Sequence, residues 1–207
     1  LNEVFLADWS CAGGQLLESL HQEIPSDATA PQGESEVQVV ASGPDVAGDP
    51  LYEGIISMIQ EAEQSIWIIT PYFIPDEVLL RSLMVKARAG RDVTLIVPAR
   101  SNHPVTDYAA RHSLRQLQEA GARVLLYEPG MLHAKAMIID ERIGLLGSAN
   151  FDLRSLFVNF EIGVVLLSES DVRTMRVWAG DLVRKCRDFV PRPRRRFRFA
   201  PELVEDL

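Results

Sequence analysis

The chain is expected to fold as an α/β domain in which a mixed, largely parallel sheet of about seven strands lies between helices. Three observations predict this. Short β-branched runs alternate with amphipathic stretches from residue 37 to residue 127, the pattern of strand–helix–strand units. The helical stretches carry apolar stripes near the helical period, with Leu51, Ile55, Ile56, Ile59 and Ala62 the clearest. The last strands follow one another too closely for crossover helices, so part of the sheet is antiparallel.

In chain order, the strands are expected at Val37–Ser42, Ser65–Thr70, Val93–Val97, Arg123–Tyr127, Ala134–Ile139, Ile143–Leu146 and Phe160–Leu167. Helices are expected over 50–62, 77–89, 104–120 and 170–187, with Gly90 and Gly121 at stop positions after the second and third. Residues 24–36, IPSDATAPQGESE, are polar and turn-rich and read as a linker or loop. They set a short piece, 1–23, apart from a main domain over 37–190, and an Arg-rich tail follows over 191–207. No internal repeat is visible.

Bulk properties narrow the function. A hydrophobic fraction of 47% and a charged fraction of 24% suit a water-soluble globular domain, and no apolar run is long enough to span a bilayer. The first residues, LNEVFLADW, do not read as a signal peptide. Cys11 and Cys186 have no metal-ligand companions and read as two independent thiols. A net charge of −8 opposes nucleic-acid binding, which depends on neutralising phosphates. The basic exception is RPRRRFR at 192–198, read either as a solvated tail or as a contact to an anionic bilayer.

One segment carries chemistry. HAKAMIIDERIGLLGSAN places His133, Lys135, Asp140, Gly147, Ser148 and Asn150 in the pattern H-x-K-x4-D-x6-G-S-x-N. Alternation along a strand puts His133, Lys135 and Met137 on one face and Asp140 on the other. A histidine beside a lysine suits a phosphodiester: the imidazole attacks or carries a proton, and the ammonium offsets phosphoryl charge. Gly147 permits close backbone approach, and Ser148 and Asn150 can donate to phosphate. Asp140 is expected to fix the strand's end. No metal or other cofactor is called for, and His21, His103 and His112 read as packed or solvated.

The pattern resembles the signature of the phospholipase D superfamily, whose members work through a phosphohistidine. The resemblance implies a phospholipase D-like fold, two motif copies per active site, and a motif aspartate that is not the nucleophile. It also implies an acidic residue on the strand after the motif; Glu161 falls there and is expected to accept a hydrogen bond from His133, setting its tautomer.

FLADW, SIWIITPYFIPDE (65–77), GMLHAK (130–135) and GSANFDLRSLFVNFE (147–161) extend the resemblance to the second repeat of bacterial cardiolipin synthase. Residues 1–23 then correspond to the end of a first repeat. That resemblance implies transfer of a phosphatidyl group between two phosphatidylglycerols with release of glycerol, in a parent protein at the cytoplasmic membrane. Anionic phospholipids, and a missing first repeat or a second copy of this chain, are the implied partners. His133 is read as general acid/base rather than nucleophile. Tyr72 and Phe73 either border the site or pack over the core, and Arg154 is read as a phosphate contact or a structural ion pair. Rival readings are a hydrolytic phosphodiesterase, a single-motif nuclease acting as a homodimer, and an inactive half that only binds phosphate or lipid.

Overall fold

The computed structural model describes residues 2–14 and 33–191. His21, most of the expected linker and the Arg-rich run 192–198 lie outside them. A helix, α1 (Asn2–Cys11), precedes the main body. The body then runs β1 (Val37–Ser42), α2 (Pro50–Glu61), β2 (Ser65–Ile69), β3 (Phe73–Ile74), α3 (Glu77–Arg88), β4 (Asp92–Pro98), α4 (Pro104–Glu119) and β5 (Arg123–Tyr127). It ends with β6 (Ala136–Ile139), β7 (Ile143–Gly147), β8 (Phe151–Asp152), α5 (Leu153–Phe157), β9 (Glu161–Leu166), α6 (Glu169–Val183) and β10 (Cys186–Asp188).

Eight strands form one sheet in the order β1-β9-β7-β6-β2-β4-β5-β10, and β3 pairs with β8 apart from it. The sheet is mixed rather than largely parallel. Only β2–β4 and β4–β5 are parallel neighbours; the other five pairs are antiparallel. The reason is the course of the chain after β5. Helices α3 and α4 carry it across between parallel strands, but a tight turn joins β6 to β7, and the segment holding β8 and α5 returns the chain beside β7 as β9, so both pairs are antiparallel. Strands β6, β7 and β9 fill the space between β1 and β2, so β1, which shares the direction of β2, ends up on the edge.

Alternation along the strands divides the core. Ile66, Ile68, Val93, Leu95, Met137 and Ile139 face α2, α3 and α4 and join the larger apolar cluster. Trp67, Ile69, Ile96, Leu125 and Ile138 face α6, meeting Val172, Met175, Ala179 and Leu182. The helix starts are set locally. Pro50 and Pro104 open α2 and α4, where a missing N–H costs nothing. Asp76 caps α3 by accepting from Val78 N and Leu79 N, both at 3.1 Å. Asp76 also accepts from the Tyr52 hydroxyl at 2.9 Å. Burial and that carboxylate push the phenol up to about 12.

Candidate functional site

Register gathers the motif. Ala136, the first residue of β6, pairs with Ile69 at the end of β2 and with Leu146 near the end of β7. Residues just ahead of β6 therefore emerge where β2 and β7 end and where β9 begins. His133, Lys135, Ser148, Asn150 and Glu161 all meet at this one edge. It is also the carboxyl end of the parallel strands β2 and β4, a position where open α/β sheets hold ligands.

The strand begins at Ala136, two residues later than the expected Ala134, so the His-x-Lys pair sits on the approach to the sheet. Lys135 Nζ stands 3.1 Å from His133 Nδ1 and 3.2 Å from Nε2, and donates to the His133 carbonyl at 3.0 Å. A neutral imidazole has one acceptor nitrogen, and an ammonium nearly equidistant from both ring nitrogens is not aligned with its lone pair, so the carbonyl is the well-directed acceptor. Burial lowers the pKa of Lys135, and the carboxylates of Glu161 and Asp152 oppose that shift without cancelling it. Lys135 is half-buried, and no carboxylate of the described residues forms an ion pair with its ammonium. An anion at this edge would supply the missing counter-charge.

Glu161 is engaged on both oxygens: Ser148 Oγ donates to Oε2, and Asn159 Nδ2 donates to Oε1 at 3.1 Å. Ser148 Oγ in turn accepts from Ile162 N at 3.0 Å, while Ser148 N donates to Ile162 O at 3.0 Å. The expected bond from His133 to Glu161 is not formed in this structure. The pairing of Gly147 with Gly163 brings the two strand ends together and lets Ser148 reach Glu161 first. The imidazole meanwhile turns toward its own lysine. That pairing depends on Gly147, where a Cβ would come within 2.5 Å of the Ile162 carbonyl oxygen. The Ser148 hydroxyl proton, expected to serve phosphate, is spent on Glu161. Asn150 Nδ2 donates to Ser155 Oγ at 3.1 Å, and its Oδ1 is buried without a partner.

Asp140 sits at the other end of β6, in the turn to β7, with φ +52°. Its carboxylate accepts from Glu63 N, Gln64 N and Ser65 N at 2.7–2.8 Å, tying the loop before β2 to the hairpin. Burial works against its charged form, but the three backbone donors and nearby Arg142 outweigh it and hold the carboxyl below the usual range. Aspartate tolerates the left-handed backbone here better than most residues.

The remaining expected residues separate. Phe73 is only 1% exposed and belongs to the larger core. Tyr72 is half-buried above it; its hydroxyl donates to Asn102 Oδ1, and its ring lies 5.8 Å from that of His103. Arg154 makes no ion pair among the described residues; its Nε donates to Asn159 Oδ1 at 3.3 Å.

Three residues that lie within the family-like blocks, but to which the sequence assigned no role of their own, take part. Thr70, fully buried, accepts from Phe151 N at 3.3 Å and locks the segment after β2 to the segment after the motif. Asp152 caps α5 through Ser155 N at 2.8 Å and contributes charge near Lys135. Asn159 joins Arg154 to Glu161. Only Asp152 left a legible signal, a carboxylate directly before a short helix. Among the described residues no group of three or more His, Cys, Asp or Glu is arranged to hold a metal ion, and no helix is long and apolar enough to cross a membrane.

The mixed sheet between helices, with His133 and Lys135 presented at one edge, defines a phospholipase D-like domain. The family described as "Cardiolipin synthase, PLD-like domain" matches residues 55–182, and the chain belongs to it. A cardiolipin synthase of Geobacillus thermodenitrificans is 37% identical over 166 residues, covering 80% of this chain and 33% of that protein. Cardiolipin synthase 2 of Bacillus anthracis is 38% identical over 177 residues, with 84% and 34% covered. The chain therefore spans about a third of the length of these relatives.

The fold is also that of Nuc, a phospholipase D family member from Salmonella typhimurium, at TM-score 0.64 and 22% identity over 75% of this chain and 99% of that one. Phosphatidylserine synthase of Haemophilus influenzae Rd KW20 matches at TM-score 0.63 and 17% identity, over 74% and 40%.

Proposed function

We propose that this chain is the second-repeat half of a phosphatidyltransferase that joins two phosphatidylglycerols into cardiolipin. The observation that carries the reading is the half-buried Lys135 ammonium beside the His133 imidazole, at an edge otherwise populated by hydrogen-bonding groups. The blocks shared with cardiolipin synthases support the substrate class.

In this mechanism a histidine from the missing first repeat, or from a second copy, attacks phosphorus of the donor lipid and forms a P–N bond. The P–O bond to glycerol breaks, and His133 gives the departing oxygen its proton. The hydroxyl of the acceptor lipid then loses its proton to His133 and attacks phosphorus, and the P–N bond breaks. Lys135 offsets charge on the non-bridging oxygens throughout. Glu161 orients and supports the imidazole once the Ser148 bond gives way. Ser148 and Asn150 are proposed to donate to the phosphoryl group in the loaded site, and Arg154 to border it. The parent protein works at the surface of an anionic membrane.

The test supplies the chain with phosphatidylglycerol vesicles and a first-repeat partner, and measures glycerol release. His133→Ala is expected to abolish release, and Glu161→Gln to reduce it strongly while Glu161→Asp restores part of it. Unchanged release in His133→Ala would remove the mechanism. For the chain alone, solution mass decides how activity is read: a monomer holds half a site and is expected to bind phosphate without turnover.

A further inference from the structure

Next to Ser148 and Glu161 lies a concavity between α1 and the adjoining ends of β1 and β9. Its walls are Val4, Ala7 and Asp8 of α1, Ala41 and Ser42 of β1, Asp45 and Val46 of the turn that follows, and Ser148, Phe160, Glu161 and Ile162. Two of these, Ser148 and Glu161, belong to the site already described, so a ligand here would lie against it. Gly43 shapes the opening: a Cβ at that position would stand 2.9 Å from the Phe160 ring and 3.0 Å from Asp45 Oδ1. The Val46 N–H to Gly43 carbonyl bond, 3.0 Å, closes the turn that aims Asp45 inward.

The chemistry of the lining is selective. It has three carboxylates, two serine hydroxyls, an aromatic face and small apolar groups, and among the described residues no lysine, arginine or histidine. Among the described residues an anion would meet like charge and hydroxyls and would be repelled. A molecule that donates several hydrogen bonds through hydroxyls and packs its C–H faces on Phe160 would satisfy both kinds of wall.

The geometry points to this cleft as the acceptor subsite, taking an uncharged polyol headgroup through Asp8 and Asp45 and presenting one hydroxyl toward Glu161 and His133. The inference rests on the transferase reading and adds to it where the second alcohol binds, which residues hold it, and a role for α1. It also separates the lipid's charges: the phosphate to be attacked lies at Lys135, and the hydroxylated end of the other lipid lies in an acidic cleft.

The experiment is an amide-shift titration of the labelled chain with three probes: glycerol, ethanolamine and inorganic phosphate. Glycerol is expected to give saturating shifts at Asp8, Ser42, Asp45 and Phe160, and phosphate to shift Lys135 and its neighbours instead. Asp45→Ala is expected to weaken glycerol about tenfold, the scale of losing hydrogen bonds to a charged acceptor. Ala7→Leu, which fills the cleft from the exposed helix without removing a carboxylate, should weaken it comparably and so covers a misfolded Asp45 variant. Absence of glycerol shifts, or ethanolamine binding there more tightly than glycerol, would overturn the assignment. Phosphate shifts at Lys135 without glycerol shifts in the cleft would remove this inference and leave the transferase reading standing; the loss of phosphate binding at Lys135 would count against that reading instead.

Discussion

The two ends of β6 treat their charged residues in opposite ways. At the turn end, Asp140 collects three backbone N–H donors at 2.7–2.8 Å, and its pKa is driven down. At the other end, Lys135 finds one well-directed acceptor, the carbonyl of His133, and its pKa is also lowered, here because burial is not repaid. The first charge is saturated by the fold and the second is not. A saturated charge stabilises; an undersupplied one costs stability and leaves binding energy for a ligand. The same short motif therefore contains a structural half and, as we propose, a chemical half, divided by four residues of strand.

The largest expected effect separates those halves by activity. Lys135→Met should lower turnover of a competent assembly about 100- to 1,000-fold, the scale for removing one preorganised electrostatic group from a transition state. Its urea midpoint should stay level or rise, because an unrepaid burial cost disappears. Parallel glycerol-release and urea-unfolding measurements check both; a clear loss of stability would make Lys135 a structural residue like Asp140.

The next effect is on stability. Asp140→Ala strips the acceptor from Glu63 N, Gln64 N and Ser65 N and is expected to cost about 2–4 kcal/mol, less than three separate charge-assisted bonds because water reaches part of this turn. Asp140→Asn should lose about half as much, since one oxygen acceptor remains. If both variants unfold at the wild-type midpoint, the three bonds do not hold the hairpin to β2.

How much of this was legible follows the same division. Expected strands at Val37–Ser42 and Arg123–Tyr127 coincide with β1 and β5, and the four expected helices are present within a few residues, because each carries its own periodic apolar pattern. The neighbours of those strands were not legible. Nothing in VQVVAS says that β1 lies beside β9, so local crossover logic overstated the parallel share of the sheet. Strands β3 and β8, two residues each, pair where Thr70 ties their segments together, and they are too short to have a pattern of their own. Strand β10 was largely absorbed into the expected helix over 170–187, since three residues, CRD, are too few to show an alternation of their own.

In the candidate site, spacing singled out His133 and Lys135 but could not say which acceptor each would face. Whether Glu161 meets Ser148 or His133 turns on side-chain geometry, which a sequence period does not encode.

The smallest expected effect is a pair of pH signatures. Asp140 has a folded pKa below its ordinary 3.8, so at intermediate pH the unfolded chain binds more protons. Its stabilisation is complete above that ordinary value and is lost as pH falls through the folded one. Wild type and Asp140→Asn should therefore differ most near neutrality and converge in acid. Lys135 also has a folded pKa below its ordinary value, 10.5, but for a base this means that the charged form is disfavoured by folding. Its cost is present at neutral pH and is relieved as pH rises from the folded value toward the ordinary one. Lys135→Met should accordingly be the more stable protein at neutrality, with its advantage fading in alkali.

Urea midpoints across both windows test the two predictions on one instrument. Phosphate supplies a further control: occupying the Lys135 end raises the lysine's folded pKa and should shrink its alkaline signature, while leaving the acid signature of Asp140 unmoved. A phosphate effect on both would mean that the two ends of β6 are coupled through the strand, and the division between structural and chemical halves would have to be given up.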